Sequence, residues 1–86
     1  MGETLHMHYD TENEALVVTT PKGLRIVLSD KDQSICLNDL HHNTLTMNHE
    51  GIALHSPLRV SISAGAELAL KASGQVTING AMVMIN

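Results

Sequence analysis

The sequence contains almost no aromatic side chains: it has no Trp, no Phe and a single Tyr among 86 residues. Large rings usually supply much of the apolar area that a small core buries, and a chain of this length forms one domain at most. The apolar side chains are instead Leu, Ile, Val, Ala and Met. A single copy built in this way would be marginally stable, so we expect stabilisation by further copies, along the chain or from other chains.

Positive charge is also scarce. Five Lys and Arg stand against nine Asp and Glu, for a formal net charge of -4, and the cations form no basic stripe. We therefore expect no nucleic-acid partner and no attraction to anionic lipid. Beyond Gly51, Glu67 is the only acidic residue. Such low charge in the second half is typical of a surface shaped by packing.

Cysteine occurs once, as Cys36, which excludes a disulfide within one chain. It stands between Ile35 and Leu37 in an alternating segment, so it should face away from them, and with no evident neighbouring base it is predicted to be an unreactive thiol. No signal peptide and no apolar run of membrane-spanning length is present. We expect assembly in the cytoplasm.

The most regular feature is a pair of aliphatic residues that recurs every eight residues, which we call the octad repeat. Its members are Ile52-x-Leu54, Val60-x-Ile62, Leu68-x-Leu70 and Val76-x-Ile78. Alternation within a short fixed repeat predicts stacked strands and not helices. Upstream, alternating segments separated by turn residues predict further strands at less regular spacing, so the predicted fold class is all-β.

Eight residues are too few for a full turn of a single-chain solenoid, which usually takes about 18 or more. A strand of about five residues spans roughly 17 Å, which suits one side of a prism. We predict an intertwined homotrimeric triple-stranded β-helix, a triangular β-prism whose strand edges neighbouring chains cover. Its predicted parts are a lead-in segment (residues 1–14), less regular prism strands (15–50) and a regular octad needle (51–86).

Several runs resemble the β-prism of contractile-injection spike proteins. They are Thr20-Pro-Lys-Gly-Leu-Arg-Ile-Val-Leu-Ser-Asp30, Ile35-Cys-Leu-Asn-Asp39, Asn43-Thr-Leu-Thr-Met-Asn48, Gly51-Ile-Ala-Leu-His-Ser56, Val60-Ser-Ile-Ser-Ala-Gly65, Leu68-Ala-Leu-Lys-Ala-Ser-Gly74, Val76-Thr-Ile-Asn-Gly80 and Val83-Met-Ile-Asn86. Over residues 15–86 the chain thus resembles the valine–glycine-repeat (VgrG) spikes of type VI secretion and the central spike proteins of contractile phage tails.

The resemblance departs from the best-known octad of these spikes, in which glycine follows valine by two residues. Here those positions hold Ile62, Leu70 or Ile78, and the glycines stand at the corners instead. The resemblance implies an intertwined homotrimer, rigid enough to be driven through a target envelope. It also implies upstream hub and barrel domains, a PAAR-type tip protein at the C-terminus, and a location in a virion tail or a secreted spike.

Histidine is the residue type best able to carry chemistry. His6 and His8 form an H-x-H pair, which places both on one face of a strand. Three such pairs around an axis would present six imidazoles to a transition metal. Leu5, Met7 and Tyr9 compete for the interior from the opposite face, so we favour a solvated face and predict no metal and no cofactor. The remaining histidines are predicted to be ordinary surface residues: His41, His42, His49 and His55.

No pattern predicts an enzyme. Glu67 has no partner carboxylate in the regular region, as a glycosidase would need. Asp30, Asp32 and Asp39 stand in predicted turns, where such side chains bond their own backbone. The serines lack a glycine elbow. We therefore predict no catalytic residues and a structural role.

The last segment, from Gly80 to Asn86, holds a candidate tip-binding surface formed by Met82, Met84, Ile85 and Asn86. If Val83 and Ile85 point inward, the phase slips by one residue after Asn79-Gly80 and the methionines face outward. They would then form an adaptable apolar rim that docks a tip protein. Alternatively, they close the prism interior.

The sequence thus predicts the structural rod of a cell-envelope-piercing spike in a contractile injection machine. Two alternatives remain. A polymerising β-helical scaffold of the bactofilin type would show the same aliphatic repeat but a single-chain coil and filaments. A small histidine-centred metal-binding module would bind stoichiometric metal at His6 and His8.

Overall fold

A computed structural model describes residues 5–85, and its regular structure is one six-stranded antiparallel sheet. The strands follow each other in chain order, so the sheet is a continuous meander. They are β1 (His6–Asp10), β2 (Ala15–Thr19), β3 (Arg25–Ser29), β4 (Ser34–Asn38), β5 (Thr44–Asn48) and β6 (Gly51–His55). The described residues contain no helix. The all-β prediction is confirmed.

Aspartate side chains form two of the hairpin connections. Asp10 Oδ1 accepts hydrogen bonds from the backbone N–H groups of Glu12 (3.0 Å) and Asn13 (3.2 Å), and its Oδ2 accepts one from Asn13 Nδ2 (2.7 Å). Asp39 repeats the arrangement with His41 N (2.8 Å), Asn43 N (3.0 Å) and Asn43 Nδ2 (2.7 Å). The carboxylates replace backbone acceptors that the reversing chain cannot supply.

Proline and glycine form the connection between β2 and β3. Pro21 presets one turn angle, and Gly23 adopts φ +103°, a conformation that side chains disfavour. The Gly23 N–H donates to the Thr20 carbonyl oxygen at 3.0 Å, and Thr20 N donates to the Leu24 carbonyl oxygen at 2.9 Å. A turn at Pro21-Lys22-Gly23 therefore closes the hairpin.

Strand register sorts the side chains onto two faces. Val17, Val27, Cys36, Thr46 and Ala53 lie opposite one another across β2 to β6, so they share one face. We call this the polar face, because its other members in β2 to β5 are mostly Thr, Ser and Asn. The opposite, apolar face carries only apolar side chains within the strands: Met7, Tyr9, Leu16, Val18, Ile26, Leu28, Ile35, Leu37, Leu45, Met47, Ile52 and Leu54.

A single layer of strands buries little. Among the described residues, Ala15 on the polar face is the only buried apolar side chain, at 7% exposure. A sheet normally covers its apolar face with another layer. One copy by itself therefore does not form the small apolar core that this composition predicts.

The chain beyond β6, which we call the C-terminal region (residues 56–85), contains no strand, and residues 57–85 are exposed throughout. It holds most of the octad repeat. A strand exists only when its backbone groups pair with another strand, and this region finds no partner strand among residues 5–85 of one copy. The predicted octad strands beyond His55 are therefore absent from the single chain, and the predicted boundaries at residues 14 and 50 stay predictions.

Candidate assembly surface

The apolar face runs across all six strands of the sheet. Its central members Leu16, Val18, Ile35, Leu37, Leu45 and Met47 are half-buried by their neighbours within the sheet. Ile26 and Leu28 of β3 are 38% and 40% exposed, and exposure is highest in the edge strands, at 64% for Met7 and 75% for Ile52. Contiguous apolar surface on this scale marks a site of association.

An apolar depression lies at the end of this face where the β2–β3 and β4–β5 connections meet. It has a volume of about 370 Å³, and its apolar walls come from Leu24, Ile26, Leu37, Leu45 and Leu54. The Leu40 side chain approaches Gly23 so closely that an added Cβ at Gly23 would lie 2.9 Å from it. The two connections therefore pack against each other and extend the apolar face beyond the strands.

Tyr9, the only aromatic residue, lies on the apolar face close to two carboxylates. Its pKa is raised above the ordinary value of 10.0, first by partial loss of hydration and then by the negative charges of Asp30 and Glu14, with a hydrogen bond to Asp30 adding to them. The hydroxyl is therefore protonated at neutral pH and lies close to the Asp30 carboxylate. This polar contact marks one end of the face.

The aliphatic pattern of the apolar face continues into the C-terminal region. Val60, Ile62, Leu68, Leu70, Val76 and Ile78 keep the spacing of Ile52 and Leu54, and each is at least 49% exposed. Each fully buried side chain of this size contributes about 1.5–3 kcal/mol. Their exposure in one copy therefore leaves a large stabilisation to be gained on association.

The polar face carries the histidine pair and the thiol. His6 and His8 lie opposite Thr19 and Val17, as the alternation predicts. Cys36 faces away from Ile35 and Leu37, as expected, and its Sγ lies 3.5 Å from Asn38 Oδ1 and 3.9 Å from Thr46 Oγ1. The half-buried thiol is held among neutral polar groups.

No group of three or more potential ligands converges on a metal position among residues 5–85. The structure places His6 and His8 on the same strand, without a third ligand from the described part of the same copy. The metal alternative stays a prediction.

The carboxylates in turns act on their own backbone. The pKa of Asp10 lies below its ordinary value of 3.8, chiefly because Asn13 donates a side-chain hydrogen bond to it. The pKa of Asp39 is lowered for the same reason by Asn43. The sequence predicted a turn at Asp39 but neither Asp–Asn pair. The spacings Asp10-x-x-Asn13 and Asp39-x-x-x-Asn43 could have indicated both pairs.

The candidate tip residues lie at the end of the C-terminal region. Met82, Met84 and Ile85 are 77%, 82% and 91% exposed, whereas Val83 between the methionines is 50% exposed. Asn86 lies outside the described residues. The tip-binding role of this segment stays a prediction.

A single-layer sheet with one uncovered apolar face, followed by a region of unpaired repeats, defines an oligomerisation module. Comparison with known protein families agrees: a model described as the phage baseplate V C-terminal trimerisation domain matches residues 15–86. The chain belongs to this family. It is therefore a structural, β-rich trimerisation domain of the phage baseplate type, as the resemblance to spike proteins predicted.

A search of curated proteins finds no match to the chain. In residues 5–85 there is no helix of the length and hydropathy needed to cross a bilayer.

Proposed function

We propose that this chain is the needle segment of a cell-envelope-piercing spike in a contractile injection machine, either a phage tail or a type VI secretion system. It acts as a homotrimer and performs no chemistry of its own. The observation that carries the proposal is the uncovered apolar face of the six-stranded sheet, whose pattern the octad repeat continues.

Three copies would bury this apolar face by turning it towards a common axis. Each copy would supply one side of a triangular prism, with Leu37 and Leu45 near the middle of each side. The polar face, with Thr44 and Thr46, would then meet solvent. This arrangement buries aliphatic side chains without large rings, which suits a narrow interior, and it accounts for the near absence of aromatic residues.

A mechanical role follows from this geometry. Strands that run across the rod place their interstrand hydrogen bonds along it, with neighbouring strands about 4.8 Å apart. Compression along the axis is then resisted by a continuous ladder of hydrogen bonds. A surface rich in Ser, Thr and small residues offers few side chains that an envelope component could bind.

Light scattering of the purified chain tests the homotrimer. We expect three times the 9.3 kDa mass of the chain, and a band of that size on SDS gels when the sample is not heated. A monomer would contradict the proposal. Open-ended filaments would favour the polymerising scaffold instead.

The partners at the two ends are further parts of the proposal. Upstream hub and barrel domains would precede the sheet, and a PAAR-type tip protein would bind Met82, Met84, Ile85 and Asn86.

The double variant Met82→Gln/Met84→Gln separates the two roles of the methionines. If they form a docking rim, tip binding is lost and the trimer's melting temperature is unchanged. If they close the interior, the melting temperature falls.

The histidine pair is proposed to face solvent. His6 and His8 lie on the polar face, which points away from the axis when the apolar face points towards it. Metal analysis of purified trimer should therefore find less than one transition-metal ion per three chains. Stoichiometric metal that is lost in a His6→Ala/His8→Ala variant would support the metal-binding alternative.

A further inference from the structure

The two ends of the sheet differ in charge. The β1–β2, β3–β4 and β5–β6 connections lie at one end, which we call the acidic end, and the β2–β3 and β4–β5 connections lie at the other, which we call the basic end. The basic end carries Lys22 and Arg25 against Asp39. The acidic end carries six carboxylates and one lysine: Asp10, Glu12, Glu14, Asp30, Lys31, Asp32 and Glu50. Oppositely charged ends favour head-to-tail contact between copies.

Each end also carries apolar surface that one copy leaves uncovered. At the basic end, Leu24 and Leu40 are both about half exposed. Leu40 lies in a connection, where alternation within a strand does not account for an apolar residue. At the acidic end, a depression of about 510 Å³ between the β3–β4 connection and the end of β5 has apolar walls from Leu28, Ile35 and Met47.

Threefold symmetry would bring these two ends together. In the proposed prism each sheet is one side and its strands run across the rod, so each corner joins the basic end of one copy to the acidic end of the next. Rotation about the axis leaves the height of every residue along it unchanged. The β3–β4 connection, which borders the depression, lies between the heights of the β2–β3 and β4–β5 connections that carry Leu24 and Leu40. The two apolar surfaces are therefore level with each other.

We propose that Leu24 and Leu40 of one copy dock against the acidic-end depression of the next copy, at each corner of the trimer. Lys22 of the docking copy then lies at a height between Glu14 and Asp30 of its neighbour. This inference rests on the proposed homotrimer and specifies which surfaces form its corners.

Glu14 and Asp30 provide the charge that a neighbouring cation would balance. The Asp30 N–H donates to the Glu14 carbonyl oxygen at 2.8 Å, so the two residues lie on adjacent connections. Both are exposed, and the negative charges of both raise the pKa of Tyr9 beside them. A lysine ammonium from the next copy would meet two carboxylates, and this complementarity would also determine which ends associate.

Carbodiimide coupling of the purified protein tests the contact, because it joins a lysine amine to a carboxylate only when the two groups touch. Within one copy, Lys22 and Asp30 lie at opposite ends of β3, and a five-residue strand spans roughly 17 Å, so a bond between them must join two copies. We expect covalent trimers on heated SDS gels, with Lys22 bonded to Asp30 or Glu14 in the peptide masses. Lys22→Arg is the matched control: it keeps the charge but lacks the reactive amine, so bonds through residue 22 should disappear while the trimeric mass is retained.

Charge exchange tests the same contact without chemical coupling. Lys22→Glu and Asp30→Lys each place like charges at every corner, and each should lower the melting temperature of the trimer by about 1–6 °C at low salt. Lys22→Glu/Asp30→Lys restores an opposite pair and should recover most of that loss. Lys71→Glu/Asp30→Lys has the same net charge without the pair, so it should show only the sum of its single effects.

The leucine contact has its own test. Leu40→Ala should raise the protomer concentration at which half of the trimer dissociates by about tenfold or more, whereas His41→Ala in the same connection should change it by no more than about twofold. Leu40 also lies against Gly23 of its own copy, so the coupling of Lys22 serves as the measurement that this contact within one copy does not affect.

Three results would contradict the inference. A trimer in which Lys22 is bonded to neither Asp30 nor Glu14 would overturn it and leave the proposed function standing. So would a Lys22→Glu/Asp30→Lys variant that recovers no more than its Lys71→Glu control, or equal effects of Leu40→Ala and His41→Ala. A monomeric mass of the unsubstituted protein would overturn both the inference and the proposed function.

Discussion

The sheet region (residues 6–55) and the C-terminal region (56–85) share one pattern of alternating aliphatic residues, yet only the first forms strands within one copy. The difference lies in the connections. In the sheet region, Asp10, Asp39 and Asn48 accept backbone hydrogen bonds where the chain reverses. Between Ile52 and Ile78 there is no Asp and no Asn. Alternation determines which side chains share a face, but it does not determine whether a chain pairs with itself.

The two regions differ in where their backbone groups find hydrogen-bond partners. Each strand of the sheet region pairs with the preceding or following strand, through connections of only a few residues, so these contacts are local in sequence. The C-terminal region has no such partner within the described part of one copy. Its order is therefore inseparable from the concentration of protomers.

The largest expected effect comes from placing a charge on the apolar face. Leu45 is half-buried, next to Leu37 and Leu54 in register. In the Leu45→Asp trimer, three carboxylates would lose water near the axis at a cost of several kcal/mol each. We expect complete loss of the trimer by light scattering and of the SDS-resistant band.

Thr46→Asp is the matched control, because Thr46 is the next residue of β5 on the polar face. It should keep the trimer and change its unfolding free energy by about 1 kcal/mol or less per chain. Equal damage by both substitutions would show that the two faces are not distinguished in the assembly.

The second prediction concerns the C-terminal region. Leu70 is 73% exposed in one copy, and truncating an exposed leucine usually changes stability by less than about 0.5 kcal/mol. If association buries it, Leu70→Ala should cost about 2–5 kcal/mol per chain. Denaturant unfolding at fixed protomer concentration measures the difference, with Ala69→Ser as the neighbouring control on the outward side. A negligible effect of Leu70→Ala would mean that this part of the repeat stays exposed in the trimer.

The third prediction uses the lowered pKa values of Asp10 and Asp39, which belong to the sheet region alone. A carboxyl whose pKa is lower in the folded state contributes stability that is fully present above its unfolded value, near 3.8. That stability is lost as the pH falls through the folded pKa. The melting temperature should therefore fall from neutral pH to below pH 3.8, and Asp10→Asn/Asp39→Asn should flatten this fall.

The equivalent change in the C-terminal region is Glu67→Gln, which removes a carboxylate that accepts none of the side-chain hydrogen bonds found in the described residues. It should leave the acid-induced fall in melting temperature unchanged. The prediction fails if the Glu67 variant flattens the pH dependence as much as the double aspartate variant does.

Much of the sheet could be predicted from sequence. The alternation of Ile26 and Leu28 against Arg25 and Val27 assigns faces that the register confirms. What alternation could not indicate is that the first six strands pair within one chain, because Ile26-x-Leu28 and Val60-x-Ile62 look alike. Pairing depends on backbone reversals, which side chains such as Asp10 and Asp39 permit, and their contacts become visible only in the folded chain.

The smallest expected effect comes from replacing a glutamine by glycine once in each region. Gln33 has φ +54° in the β3–β4 connection, a left-handed conformation that costs a side-chain-bearing residue roughly 1–2 kcal/mol. Glycine removes this cost but loses about 0.5–1 kcal/mol of chain entropy, so Gln33→Gly should stabilise the trimer by about 0.5 kcal/mol per chain. Gln75, whose φ is not positive, would lie next to Val76 in an octad strand, where glycine should instead destabilise by about 0.5–1 kcal/mol. Thermal unfolding should therefore give opposite signs for the two variants. The same sign at both positions would mean that residue 33 does not keep its turn conformation in the assembly, or that residue 75 gains no strand there.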